Sequence, residues 1–140
     1  MADIKFASGL QEFTINGKAE VAFNPTDMTF SEELYNAAVL LANKQDELEQ
    51  KQRALEEPGE IFALNREVDK EMREVIDGVF GKPVCSDVFG ATKVFAYSDG
   101  LPLWANLIFA VQEMCVKKRG DELNKTDARL AKYTAKYKRK

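Results

Sequence analysis

Residues 29–80 decide the fold: TFSEELYNAAVLLANKQDELEQKQRALEEPGEIFALNREVDKEMREVIDGVF. In the first half of this stretch, leucines recur every seven residues, at Leu34, Leu41, Leu48 and Leu55. That spacing places the four side chains on one stripe of an α-helix. The neighbouring stripe positions become polar towards the end, so we expect the second half of this helix to protrude from the core and to carry a thin apolar seam.

A break separates this helix from a second one. The tripeptide Glu-Pro-Gly at 57–59 combines two residues that interrupt helices. At the start, Thr29 and Glu32 have the spacing of a capping box. We therefore predict helices over residues 29–57 and 60–80 that fold back on each other as an αα-hairpin.

Alternating apolar residues before the first helix predict a β-hairpin with its turn at Asn-Gly. A two-residue loop mixes apolar and polar side chains on each face. A three-residue loop over residues 16–18 pairs Ile15 with Ala19 and Phe13 with Val21, and it puts the apolar side chains on one face. We therefore predict the three-residue loop.

Two further segments are β-prone. Ile4 and Phe6 could form a third strand beside the hairpin, and residues 92–97 could also add to it. A lone hairpin is only marginally stable, so its apolar face must rest on helices.

The last apolar segment predicts a helix over residues 101–119, capped by Ser-Asp-Gly at 98–100 and interrupted by Gly120. Its apolar residues, among them Trp104, cover almost the whole circumference. A helix that is apolar on all sides is buried in a core or in a subunit interface.

These elements predict an α+β fold, mostly α, with an N-terminal β-hairpin or small sheet, a long αα-hairpin, a buried apolar C-terminal helix and a basic tail. A length of 140 residues suits a single domain. The predicted parts are a β-hairpin region over 1–23, helices over 29–57 and 60–80, short segments over 83–97 and a helix over 101–119, in one domain over 1–120, followed by the tail over 121–140.

Charge is distributed unevenly along the chain. Residues 117–140 contain ten Lys or Arg and three acidic residues, whereas the rest contains ten Lys or Arg and twenty acidic residues. In the tail, Tyr133 and Tyr137 alternate with Lys132 and Lys136, a pattern that can bind single-stranded nucleic acid. The acidic body offers an intramolecular or subunit–subunit contact instead, and we favour that contact over nucleic acid.

The composition argues against an enzyme. The chain has no histidine, which removes the commonest general base and a frequent metal ligand. Its two cysteines, Cys85 and Cys115, form no C-x-x-C motif, and we expect both to be buried thiols. Gly78, Gly81 and Lys82 lack the spacing of a phosphate loop and indicate a helix end. We predict no catalytic residue, cofactor or metal.

No signal for a membrane or for export is present. The N-terminus has no basic segment followed by an apolar run, and the longest apolar stretch, residues 101–111, is too short to cross a bilayer. We expect a cytoplasmic protein.

Several segments together resemble small prophage proteins of the tail assembly chaperone type. The matching segments are FTING at 13–17, FNPTD at 23–27, MREVIDG at 72–78, Phe89-Gly90, DGLPLW at 99–104 and KYTAKY at 132–137. The resemblance spans nearly the whole chain and includes no catalytic signature.

The resemblance implies a function without chemistry. Tail assembly chaperones of long-tailed phages bind the helical tape-measure protein in the bacterial host cytoplasm and cover its apolar surfaces until the tail tube polymerises. They are small, largely helical and often oligomeric. A homo-oligomer is therefore expected here too.

Two other functions stay open: a structural minor tail or connector subunit of the virion, and a nucleic-acid-binding accessory protein. Apolar stripes would carry the contacts of a chaperone with its client, and the basic tail would carry those of a nucleic-acid-binding protein. The residues expected to bind partners are Leu41, Leu48, Leu55, Trp104, Lys132, Tyr133, Lys136 and Tyr137.

Overall fold

The computed structural model describes the backbone of residues 1–138 and the side chains of residues 1–135. It is 64% helical with small antiparallel sheets, which confirms the predicted α+β, mostly α fold. The elements in chain order are β1 (Gln11–Ile15), β2 (Ala19–Phe23), α1 (Met28–Arg53), α2 (Pro58–Phe80), α3 (Cys85–Phe89), β3 (Tyr97–Ser98), β4 (Leu101–Pro102) and α4 (Leu103–Lys138).

The N-terminal hairpin has the predicted register. Ile15 pairs with Ala19 and Phe13 with Val21. Asn16 and Gly17 both have positive φ, at 51° and 67°, as the central residues of a type I′ turn do. The inward side chains of β2 are buried in the core shared with the helices, so the hairpin does rest on helices as expected.

The predicted third strand is wrong. Residues 1–10 form no strand, and Ile4 and Phe6 are exposed. The base of this N-terminal arm is tied to the residue that follows β2, where the Asn24 side-chain amide donates to the Ser8 carbonyl oxygen at 3.3 Å. Residues 1–10 are called the N-terminal arm below.

The αα-hairpin is present, with boundaries that differ from the predicted ones. The backbone N–H of Thr29 donates to Asp27 Oδ1 at 3.0 Å, so Asp27 is the N-cap and the predicted capping box at Thr29 is wrong. α1 ends at Arg53 and not at residue 57, and α2 begins at Pro58, whose missing N–H costs nothing in a first turn. Gly81, at φ 69°, ends α2 in the left-handed conformation.

The leucine stripe of α1 lies in the core. Leu41 is fully buried and Leu48 is 2% exposed, and both belong to the cluster that contains Met72 of α2. The expectation that the second half of this helix protrudes with an exposed seam is therefore wrong for Leu48. α2 folds back along α1, and the Gln52 side-chain amide of α1 donates to Asn65 Oδ1 of α2. This polar residue of the second half of α1 therefore has its hydrogen-bond partner on α2.

A buried ion pair holds the segment between α3 and β3. Arg73 Nε donates to Asp69 Oδ2 at 2.9 Å, and Asp69 Oδ1 accepts the backbone N–H of Val94 at 2.8 Å. Arg73 Nη2 also donates to the carbonyl oxygens of Gly90 and Thr92. The backbone of this segment is therefore hydrogen-bonded to side chains of α2. The prediction that residues 92–97 add a strand to the N-terminal hairpin is wrong.

Residues 97–102 form a separate small hairpin. Tyr97 pairs with Pro102 and Ser98 with Leu101. Asp99 and Gly100 both have positive φ, at 55° and 80°, so they form the turn. The predicted helix cap at 98–100 is therefore wrong, and α4 begins directly after β4.

α4 runs antiparallel to α1. Near its start, Trp104 Nε1 donates to Gln45 Oε1 at 2.6 Å, and further along Arg119 Nη2 contacts Met28 Sδ at 3.2 Å. One face of the first half is buried, formed by Trp104, Ala105, Leu107, Ile108, Val111 and Cys115. The prediction that this helix is buried on all sides is wrong, because other apolar residues of the same helix are exposed.

Gly120 does not interrupt α4. The helix continues from Leu103 to Lys138, so the predicted basic tail is a continuation of the last helix. A helical glycine costs about 1 kcal/mol relative to alanine. Most of the flanking residues are Lys, Arg, Glu, Leu and Ala, whose high helix propensity offsets that cost.

We predict that Leu48→Ala destabilises the protein by about 2–5 kcal/mol, because it leaves a cavity between helices. Leu123→Ala, a matched change at an exposed position of α4, should alter the free energy of unfolding by less than about 0.5 kcal/mol. Urea unfolding followed by circular dichroism measures both. Equal effects of the two changes would contradict a core role for Leu48.

We predict that Asp69→Ala lowers the free energy of unfolding by about 3 kcal/mol, because Arg73 and the Val94 N–H lose a buried partner. Glu71→Ala is the matched control, since it removes only the exposed Lys44–Glu71 pair. That change should cost at most about 1 kcal/mol. The same unfolding measurement would refute the prediction if both variants behaved alike.

Candidate protein-interaction surface

The second half of α4 extends beyond the body of the protein. Among the side chains of α4 that the structure describes, Cys115 is the last buried one, and residues 116–135 are exposed or half-buried. At 1.5 Å per residue, the helix from 116 to 138 spans about 35 Å. Apart from the contact of Arg119 with Met28, the described side chains of this half are largely exposed, which makes it a candidate docking surface.

An apolar track follows α4 from the body to the extended half. It consists of Phe109, Val116, Leu123 and Leu130, whose exposed fractions are 43%, 66%, 63% and 57%. The four residues are spaced by seven, the repeat with which helices pack side by side in coiled coils. The apolar track is therefore shaped for another helix.

A basic stripe follows a different face of the extended half. Lys118, Lys125, Arg129 and Lys132 lie on one side of the helix, about 150° around its axis from the apolar track at 100° per residue. Among the described residues of this stripe, Lys125 alone has an ion pair, a loose one to Glu122 at 3.9 Å. The remaining cations are available to a partner.

A groove lies between the β1–β2 hairpin and α4. It consists of two pockets of about 440 and 180 Å³ that share Ile15, Asn16, Leu107 and Ala110. None of its residues belongs to the apolar track, so the groove is a separate feature. Its lining contains no charged pair suited to catalysis.

The N-terminal arm leaves the body at the same end as the extended half of α4. Its base is tied to Asn24, just before α1, and α4 passes the start of α1 where Arg119 contacts Met28. Exposed apolar side chains, including Ile4 and Phe6, thus collect at this end.

The structure separates the residues that were predicted to bind partners. Leu41, Leu48 and Trp104 are buried, and Leu55 is half-buried at the opposite end of the molecule from the extended helix. Trp104 is held by its hydrogen bond to Gln45, so its role is in the core.

The predicted residues of the tail do lie together on α4. Lys132 and Tyr133 are exposed. Lys136 and Tyr137 are within the helix, and their side chains lie outside the described part of the structure.

Sequence reasoning missed the apolar track. Its sevenfold spacing was readable, but the assumption that Gly120 ended the helix split Phe109 and Val116 from Leu123 and Leu130. The signal for continuity was the good helix formers on both sides of that glycine.

The described residues contain no group of three or more His, Cys, Asp or Glu that could hold a metal ion. No buried side-chain nitrogen or oxygen in this part of the chain lacks a hydrogen-bond partner.

Both cysteines are shielded. Burial raises the pKa of the Cys85 thiol, and the hydrogen bond and negative charge of Asp77 raise it further. Burial also raises the pKa of Cys115, against the opposing charge of Arg119. Since the thiolate is the nucleophile, both side chains are unreactive packing residues.

We predict that both thiols of the native protein react with a thiol reagent at pH 8 roughly 100-fold more slowly than free cysteine. A raised pKa lowers the thiolate fraction at this pH, and labelling should accelerate as pH increases. In denaturant, both should react at the rate of free cysteine. Cys85→Ser and Cys115→Ser assign each signal, and fast labelling of either native thiol would contradict its shielding.

Comparison of the chain with protein-family models, curated proteins and solved structures found no match. Within the described residues, no helix has both the length and the apolar character that crossing a membrane requires.

Proposed function

We propose that this protein is a phage tail assembly chaperone, which binds the helical tape-measure protein in the host cytoplasm before the tail tube polymerises and which performs no catalysis. One observation carries the proposal: the apolar track runs along a helix that extends out of the body, and no described element of the chain covers it. The resemblance of several sequence segments to this class of protein supports it.

The spacing of the track favours a helical client. Side chains at Val116, Leu123 and Leu130 stay on one face over two heptads. An amphipathic helix with the same repeat can insert its own apolar side chains between them. An extended strand has a repeat of two residues and would not meet these positions.

The size of the track suits reversible binding. Burying a Leu, Val or Phe side chain completely contributes about 1.5–3 kcal/mol, and here each begins partly exposed. Association also costs several kcal/mol in lost freedom of motion. A few such contacts per copy hold a client helix without trapping it, as a chaperone that must release its client requires.

We predict that co-expression with the tape-measure protein of the same locus yields a soluble complex. Affinity pull-down and light scattering give its stoichiometry. The double variant Leu123→Gln and Leu130→Gln should remove two of the four apolar side chains of the track and weaken capture at least about tenfold.

The matched control is Ala128→Gln with Ala135→Gln, two changes on the opposite side of the same exposed helix, which should leave capture unchanged. Circular dichroism checks that both variants remain helical. A tape-measure protein that still aggregates beside wild-type chain, with this chain found in finished virions by mass spectrometry, would overturn the proposal in favour of a structural tail subunit.

A further inference from the structure

The two ends of the molecule carry opposite charge. One end is the basic stripe of α4. The other consists of the last residues of α1, the turn and the first residues of α2, which are residues 46–60 and are called the acidic end here. It carries six exposed carboxylates and two cations. The carboxylates are Asp46, Glu47, Glu49, Glu56, Glu57 and Glu60. None of the six forms an ion pair within the described residues.

These two regions cannot meet within one chain. α4 passes Gln45 near its start and Met28 further on, so its basic half points away from the acidic end. Lys132 lies 13 residues beyond Arg119, and Gln45 lies 17 residues along α1 from Met28. At 1.5 Å per residue, this places Lys132 about 45 Å from the acidic end, several times the Debye length of about 10 Å at 0.1 M salt.

We propose that the basic stripe of one copy docks on the acidic end of a second copy, so that the chains associate head to tail. The inference goes beyond the chaperone function, because it uses a face of α4 that the apolar track does not occupy. Client and second copy therefore bind different sides of the same helix.

Charge complementarity selects a second copy as the occupant of the stripe. Lys118, Lys125, Arg129 and Lys132 present four cations on one line, and the acidic end presents six carboxylates over two adjoining helix ends. Stripe against stripe would place like charges together, so the stripe of one copy meets the acidic end of the other. A reciprocal contact closes a two-fold dimer, and a contact that is not reciprocal produces a ring or an open chain of copies.

The strength of this contact follows from its exposure. Single surface ion pairs contribute only about 0–1 kcal/mol, and salt screens them. Several pairs must act together, and association should be weak and strongly dependent on ionic strength. A coiled coil through the apolar track would instead persist at high salt, because burial of apolar surface is not screened.

The test is sedimentation velocity of the full chain at 20 and 500 mM salt over a range of protein concentrations. We expect the average mass to rise with concentration at low salt and to return to that of one chain at high salt. Wild-type chain that stays monomeric at 20 mM salt would overturn the proposal. A dimer that persists at 500 mM salt and is lost in the Leu123→Gln, Leu130→Gln variant would also overturn it, in favour of packing through the track.

A charge swap identifies the two surfaces. The stripe variant carries Lys118→Glu, Lys125→Glu, Arg129→Glu and Lys132→Glu, and the end variant carries Glu47→Lys, Glu49→Lys, Glu56→Lys and Glu57→Lys. Each should be monomeric alone at 20 mM salt, because its two ends now have the same sign. Mixed one to one, they should associate again, since each stripe meets an oppositely charged end.

Circular dichroism of each variant first establishes that α4 and the α1–α2 hairpin remain folded. Failure of the mixture to associate, with both variants folded, would overturn the head-to-tail contact. A monomeric wild-type chain that binds a labelled single-stranded oligonucleotide at 20 mM salt, with loss of binding in the stripe variant alone, would also overturn it and assign the stripe to nucleic acid. Client capture by the track is measured separately and need not change.

Discussion

Burial of the leucine stripe of α1 is the constraint on which the rest of the structure depends. Leu34, Leu41 and Leu48 lie between α2 on one side and α4 on the other, and they are within 2% of complete burial. Because α1 is packed by both neighbours, its length sets the length of the body. α2 turns back where α1 ends, and α4 leaves the body where α1 begins.

Polar contacts then fix the relative positions of the elements, which packing of the apolar stripe alone does not define. Apolar packing is tolerant of small shifts, whereas a buried carboxylate requires partners in defined directions. Asp69 and Arg73 of α2 hold the segment leading to β3, and Gln45 of α1 accepts from Trp104 and donates to Tyr97. These bonds set the position at which α4 begins and hence the direction in which its second half extends.

The two halves of α4 differ in what they contribute to the molecule. The buried half of α4 completes the core, and the extended half adds nothing to the core and presents an apolar track and a basic stripe on different faces. The apolar track and the basic stripe lie on one helix, so the helical repeat fixes the angle between them around the helix axis. We infer that client binding and self-association use this one rigid element side by side.

The sequence by itself determined the local features whose cause is local. Pro58 and Gly81 mark helix limits, and the alternation of Phe13, Ile15, Val21 and Phe23 admits only one hairpin register that keeps these side chains on one face. These inferences need only backbone geometry and side-chain periodicity.

Tertiary structure decided which apolar stripes are covered. Leu48 and Leu123 both lie on stripes of spacing seven, yet α2 covers the first and no described element covers the second. Periodicity reports that a face is apolar, but only the neighbours in space determine whether it is core or surface. For the same reason Trp104, expected at a partner surface, is buried against Gln45, and Gly120, expected to stop a helix, lies within one whose flanking residues favour its continuation.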